Sequence, residues 1–177
     1  MEINGIKVGL TGIYELAEHL EKKQQVKENI AALKEAGAEL IIVNFHWGME
    51  REYVPNKTQK KLAHLAIDEG ADLIIGHHPH VLQGIEKYKG KYIAYSLGNF
   101  CFGGNSNPQD KDTMIFQQTF TIEDGKLKKD DNINIIPCSV SSKSNVNDYC
   151  PTPLEGDEKQ RVLDKIEEYS GQIQDNN

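Results

Sequence analysis

A chain of 177 residues is long enough to bury a real core, and a formal charge of −7 makes it a poor match for a polyanion. No cluster of Lys and Arg offsets that charge, so a nucleic-acid groove is excluded as its main surface. No apolar run approaches the ~20 residues needed to span a bilayer, and the opening residues, which include Glu2 and Lys7, do not read as a signal peptide.

The first element is a half-buried strand, Ile6 to Leu10, preceded by Asn4-Gly5, a strong hairpin signal. Only Met1, Glu2 and Ile3 stand before that turn, so a single domain over 1–177 is expected to begin partway through its first sheet. Thr11 to Leu20 reads as loop and short helix. Gln24 to Ala36 is a helix with Val26, Ile30 and Leu33 on one face, stopped by Gly37. Leu40 to Phe45 is apolar without alternation, the pattern of a parallel strand covered on both faces. Lys57 to Glu69 is a second helix with Leu62, Leu65 and Ala66 inward, closed by Gly70, and Leu73 to Ile75 is a second buried strand. Gly37-Ala38-Glu39-Leu40-Ile41-Ile42 and Gly70-Ala71-Asp72-Leu73-Ile74-Ile75 are nearly the same sentence written twice.

Past His80 the pattern turns antiparallel. Val81–Tyr88 and Lys91–Leu97 flank Lys89-Gly90, and Met114–Ile122 and Leu127–Ile136 flank Glu123-Asp124-Gly125. Gly103 to Asp112 is a polar surface loop, Ser139 to Pro153 a long connection, and Asp157 caps a last helix presenting Val162, Ile166 and Tyr169. The fold class is therefore α/β, a parallel βαβ unit followed by antiparallel strands. Cys101, Cys138 and Cys150 form no CxxC pair, which argues against a thiolate zinc site. A Cys138–Cys150 disulfide and three unpaired thiols both remain open.

Imidazoles follow each buried strand: His46 in Asn44-Phe45-His46-Trp47-Gly48, and His77, His78 and His80 in Gly76-His77-His78-Pro79-His80. Ligands collect at the carboxyl ends of strands in open α/β sheets. In extended backbone His78 and His80 would point the same way, with His46 leaving the neighbouring strand beside them. Three neutral imidazoles suit Zn, Mn, Fe or Ni. Hydrogen-bonded structural histidines are the competing reading. His77 is expected to point away, and His64 and His19 to be solvated. A dinuclear hydrolytic site also wants a bridging carboxylate, and Val8 to Gly12 offers none.

Asn44-Phe45-His46-Trp47-Gly48-Met49-Glu50, Pro55, Gln59, Gly76 to Gly84 and Tyr95-Ser96-Leu97-Gly98-Asn99-Phe100 together closely resemble the bacterial capsule-synthesis CapA family. Its members, the poly-γ-glutamate biosynthesis proteins, look like calcineurin-type metallophosphatases. The resemblance spans Ile6 to Ser170. It implies a four-layer α/β/β/α sandwich and a divalent metal centre (Mn, Zn or Fe, with two ions in the full family pattern). His46 and His78 would serve one metal and His80 the other. Asn99 and Ser96 would line the same mouth, with a turn-stabilising role for Asn99 equally open. Trp47 and Glu50 would sit beside the site, Trp47 as a packing residue or a substrate platform. Arg51 and Tyr53 would meet an anionic polymer or a phosphoester.

The family's Asp-bearing, acidic and Asn-His motifs, which precede this region, are not found in the chain. Two functional classes follow: part of a metal-dependent phosphoesterase-like hydrolase, or a non-catalytic component binding the polymer or the synthesis machinery. The resemblance further implies an extracytoplasmic, membrane-associated setting. An uncovered strand edge predicts a homodimer.

Overall fold

The computed structural model describes residues 1–17, 19–123, 126–128 and 132–175. Strands β1 (Glu2–Ile3) and β2 (Ile6–Tyr14) meet at Asn4-Gly5, whose φ angles of 51° and 81° are the paired positive values of a type I′ turn. Met1 lengthens the short first strand by exchanging backbone bonds with Val8, at 2.8 and 2.9 Å. β2 runs on to Tyr14 rather than stopping at Leu10. It pairs in parallel with β3 (Leu40–His46) from Val8 opposite Leu40 to Tyr14 opposite His46. A 3-10 turn at His19–Glu21 leads into α1 (Lys22–Glu35), which begins before the expected Gln24 and buries Val26 and Ile30.

The two helix-to-strand passages are built alike. α1 stops at Gly37 (φ 81°), and α2 (Lys57–Asp68) at Gly70 (φ 107°), before β4 (Leu73–His77). Each passage carries an acid that clamps the preceding strand. Glu39 N–H donates to Lys7 O (2.8 Å) while its carboxylate accepts from Lys7 N–H (2.9 Å). Asp72 N–H donates to Ile41 O (2.7 Å) while its carboxylate accepts from Ile41 N–H (2.9 Å). The repeated Gly-Ala-acid triplet is thus a repeated stitch between neighbouring strands.

β5 (Ile85–Tyr88) and β6 (Lys91–Ala94) form the expected hairpin over Lys89-Gly90, again with two positive φ values, 49° and 81°. The main sheet runs β1-β2-β3-β4-β6-β5, parallel across β2, β3, β4 and β6. The next expected hairpin is longer and interrupted. β7 (Asp112–Gln118) pairs with β10 (Ile133–Ser139), and β8 (Ile122–Glu123) with β9 (Lys126–Leu127) forms a small pair at its tip. The Asp124-Gly125 turn expected there lies outside the described residues. β11 (Thr152–Pro153) completes a second sheet, β11-β10-β7. α3 (Gly156–Asp175) starts one residue before Asp157, which supplies charge to the first turn rather than a cap.

One core lies between the main sheet and its helices, joining Ile41, Val43, Phe45, Ile74 and Ile93 to Val26, Ile30, Leu62 and Ala66. The other lies between β6, β7 and α3, around Leu82, Ala94, Met114, Val162 and Ile166. α3 is pinned by an ion cluster: Arg161 donates twice to Asp112 at 2.8 Å, and Lys165 bridges Asp110 (2.7 Å) and Asp112 (2.8 Å). Burial would raise the Asp112 carboxyl, but the bonds from Arg161 and Lys165 outweigh it and hold it below its ordinary value.

The second face of β2 and β3 is less covered than the apolar run of β3 suggests. Ile42 and Asn44 are only half-buried, Leu10 is 44% exposed and Tyr14 59% exposed. The second core spans the β4–β6 side of the sheet and stops short of them. The three cysteines are free, Cys138 buried and Cys101 and Cys150 exposed. Among the described residues no helix is long and apolar enough to cross a membrane.

Candidate metal centre

The parallel register sets His46 opposite His77 at the carboxyl ends of β3 and β4. Beyond them the chain turns sharply. His78 has φ 99° and His80 φ 61°, so the segment is not extended as its strand-like position suggests. Outside tight turns such as Asn4-Gly5, positive φ is uncommon in non-glycine residues, and backbone strain of this kind clusters at functional sites. The two rings nevertheless converge, by backbone twist rather than by strand alternation, with centroids 5.7 Å apart. His46 lies on the other side of His78, 4.8 Å between ring centroids, and stacks on Tyr14 at 5.4 Å. His77 is half-buried on the same sheet face as His46. Burial, then the nearby His46 ring, lowers its pKa.

A carboxylate comes to this group from the β3–α2 loop. Ligand atoms of Glu50, His78 and His80 all lie within 4.8 Å of one another, with His80 Nε2 at 4.0 Å from Glu50 Oε1. Two imidazoles and a carboxylate form a donor set that suits a divalent transition ion. The loop that brings Glu50 is stitched to the histidine segment: Trp47 N–H donates to His77 O (3.1 Å) and Arg51 N–H to Pro79 O (2.8 Å).

Asn99 fixes the orientation of His80. Its Nδ2 donates to His80 O (3.2 Å), which turns its Oδ1 toward the ring, 2.7 Å from Nδ1. With the amide so turned, Nδ1 is the ring nitrogen placed to donate to Asn99, and Nε2 is the one that faces Glu50. Phe102 packs over the same ring at 5.0 Å. His78 is pushed below the ordinary imidazole value by burial, then by the His46 and His80 rings, which favours the neutral form that a ligand needs.

A cleft of about 500 Å³ opens from His80 and Asn99. Glu50, Arg51, Tyr53 and Asp110 are among its walls, and the polar 103–110 loop closes one side. Asn147, 3% exposed, holds that loop by donating to Phe102 O and Asn105 O, at 2.9 and 3.0 Å.

Other expected site residues lie elsewhere. Trp47 is fully buried, stacks on Phe45 at 4.2 Å and donates through Nε1 to Tyr95 O (2.9 Å). It is a packing residue, with no face for substrate. Ser96 is likewise 0% exposed, its hydroxyl donating to Val81 O (2.7 Å) and accepting from Gly98 N–H, so it braces the mouth instead of lining it. His64 is not simply solvated: its Nε2 lies 2.9 Å from Glu86 Oε1 and its ring stacks on Tyr88 at 3.9 Å. His19 is 69% exposed and pairs with the buried Glu15.

Residues 3–104, more than half of the chain, match the family described as bacterial capsule synthesis protein PGA_cap. The chain is 52% identical over 69 residues to the capsule biosynthesis protein CapA of Bacillus anthracis, covering 39% of this chain and 17% of that relative. It is 54% identical over 65 residues to the PGA biosynthesis protein CapA of Bacillus subtilis strain 168, covering 37% of this chain and 17% of that relative. The matched stretch is thus well under two thirds of either relative's length. With the histidine segments, the Glu50 loop and Asn99 all inside the matched span, the chain belongs to the bacterial capsule synthesis protein PGA_cap family.

Proposed function

We propose that this chain contributes a divalent-metal site to a hydrolase-like protein of capsule or poly-γ-glutamate biosynthesis, within a metallophosphatase-like four-layer α/β/β/α sandwich. The observation that carries the proposal is the convergence of Glu50, His78 and His80 within 4.8 Å at the carboxyl ends of parallel strands. These three residues would hold the ion, with His46 beside His78 as a further donor on that side. A bound divalent ion supplies Lewis acidity and a water of lowered pKa. The chain's own residues do the rest. Asn99 keeps the proton of His80 on Nδ1, and Phe102 packs against that ring. Arg51, on the cleft wall, offers the guanidinium that would meet a carboxylate or phosphate of an anionic substrate. The proposed setting, by kinship, is extracytoplasmic and beside the membrane.

A second reading is favoured by the donor count. Among the described residues only one cluster of three metal-binding side chains occurs, and it holds a single carboxylate. One acid is sparse for two divalent ions. A non-catalytic component that binds the polymer through the same cleft is consistent with that count.

Calorimetric titration with Mn(II) and Zn(II), alongside a generic phosphodiester assay, separates the two. Stoichiometric binding that is weakened about tenfold or more in Glu50→Ala and His80→Ala, with hydrolysis lost in parallel, supports the hydrolase. Binding without turnover supports the second reading, and no binding refutes the metal centre.

A further inference from the structure

Glu50 reaches the histidines from a loop, and its side chain is 63% exposed. The position of its carboxylate therefore depends on how firmly the backbone from Met49 to Glu52 is held. Arg51 sits at φ 63° in that stretch, a conformation imposed from outside. One tie is already described, from Arg51 N–H to Pro79 O. The other comes from a pair of glutamines buried beneath the loop.

Gln83 is 0% exposed, and both ends of its amide are used. Nε2 donates to Glu52 O at 2.8 Å, and Oε1 accepts from Gln59 Nε2 at 2.8 Å. Gln59, 1% exposed, is itself fixed by the α2 capping box. Its Oε1 accepts from Asn56 N–H (3.0 Å), and its N–H donates to Asn56 Oδ1 (2.9 Å). A continuous chain of bonds thus runs from the first turn of α2 through two buried amides to the carbonyl two residues past Glu50. A buried amide that lost its partner would cost the full desolvation of that group, so the chain has a strong preference for one arrangement.

We infer that Gln83 is a positioning residue for the metal centre, holding the Glu50 carboxylate against His78 and His80 through the carbonyl of Glu52. The inference rests on the metal-site reading above. Gln83 touches none of the donors and sets how well the three of them fit one ion.

The test is Mn(II) affinity of the full chain, by calorimetry, for the wild type, Gln83→Met, Gln83→Glu, Glu50→Ala and the Glu50→Ala/Gln83→Met double variant. Far-UV circular dichroism checks that each is folded at the titration temperature. Gln83→Met removes both bonds. Gln83→Glu keeps an acceptor for Gln59 while setting an oxygen against Glu52 O, and it provides the second test should the first variant unfold. Residues that orient metal ligands typically change affinity about tenfold or more when altered. The expected result is a loss of about that size in both Gln83 variants, and no further loss when Gln83→Met is added to Glu50→Ala. The double variant is decisive, because a general structural role would weaken binding equally in either background. Unchanged affinity in the Gln83 variants, or a fully additive loss, overturns the inference while leaving the metal centre standing. A wild type that binds no Mn(II) overturns both.

Discussion

The two helix–strand passages enter the sheet in the same way and leave it differently. At the entrance each has a left-handed glycine and an acid that stitches the new strand to the one before it, Glu39 on Lys7 and Asp72 on Ile41. At the exit, the chain after β3 takes positive φ at Gly48 and Arg51, two and five residues beyond His46, whereas after β4 it does so at once, at His78 and His80. The entrances solve a folding problem common to any parallel strand. The second exit adds an oriented imidazole and receives the Glu50 carboxylate from the first, and that is where the proposed metal donors meet.

Exchanging equivalent residues breaks the comparison most severely at Gly76. Its sequence counterpart in the first passage is the fully buried Val43. A Cβ at Gly76 would lie 1.9 Å from Tyr95 O and 2.5 Å from Trp47 Nε1, so the bond between those groups leaves no room for a side chain. Gly76→Val is expected to cost at least about 3 kcal/mol, or to prevent folding, as read by urea denaturation. Tolerance of valine there would mean the second exit is no more constrained than the first.

The next largest contrast is between the exits as metal donors. His80→Ala should weaken Mn(II) binding by more than tenfold, about 1.4 kcal/mol or more. His46→Ala should weaken it less, because His46 stands outside the cluster of Glu50, His78 and His80. Equal losses in calorimetry would extend the centre to the first exit.

The entrances should differ only by burial. Asp72, whose side chain is 14% exposed, also accepts from Lys91 at 2.6 Å, while Glu39 is exposed. Asp72→Ala should cost about 1–2 kcal/mol and Glu39→Ala under about 1 kcal/mol in the same denaturation experiment. A reversed order would show that the stitches are not equivalent.

The smallest effect is in acid. Burial would raise the Glu86 carboxyl, but the bonds from His64 and Tyr95 outweigh it and leave the group below its ordinary value. Asp112 is depressed in the same sense. A carboxyl with a depressed folded pKa contributes stability that is complete above its unfolded value, about 4, and is lost as pH falls through the folded one. Thermal midpoints should therefore decline below about pH 4, and Glu86→Gln should flatten that limb. An unaltered limb would remove Glu86 from the account.

Periodicity and turn chemistry made the scaffold legible: helix faces ending at Gly37 and Gly70, and hairpins over Asn4-Gly5 and Lys89-Gly90. Local pattern also found the histidines, because imidazoles after an apolar run have few structural uses. It misread their backbone, since strand alternation cannot anticipate the positive φ that contacts with Asn99 and the Glu50 loop sustain. Trp47 and Ser96 are implied as site residues by the family resemblance, through the His46-Trp47 and Ser96-to-Asn99 motifs. Their burial depends on Tyr95 and Val81, which only the folded sheet brings near. The Gln59–Gln83 pair joins residues 24 apart, and the Arg161–Asp112 pair residues 49 apart. No short-range rule marks either partner in advance.

Among the described residues, the ladders leave part of one row of β2 unpaired. Because Glu39 bonds Lys7 and Glu15 bonds His46 at its two ends, the backbone of Leu10, Gly12 and Tyr14 faces away from β3, beyond the reach of the short β1. Gly9 to Tyr14 contains no charge and no proline, the usual guards of an open edge. Chains that each carry −7 repel one another, which opposes the meeting of two such edges in dilute solution. That repulsion is long-ranged and fades once the Debye length falls to a few ångströms, about 3 Å at molar salt. Edge-to-edge association of the isolated chain is therefore expected to rise with ionic strength, and light scattering unchanged between dilute buffer and molar salt would count against it.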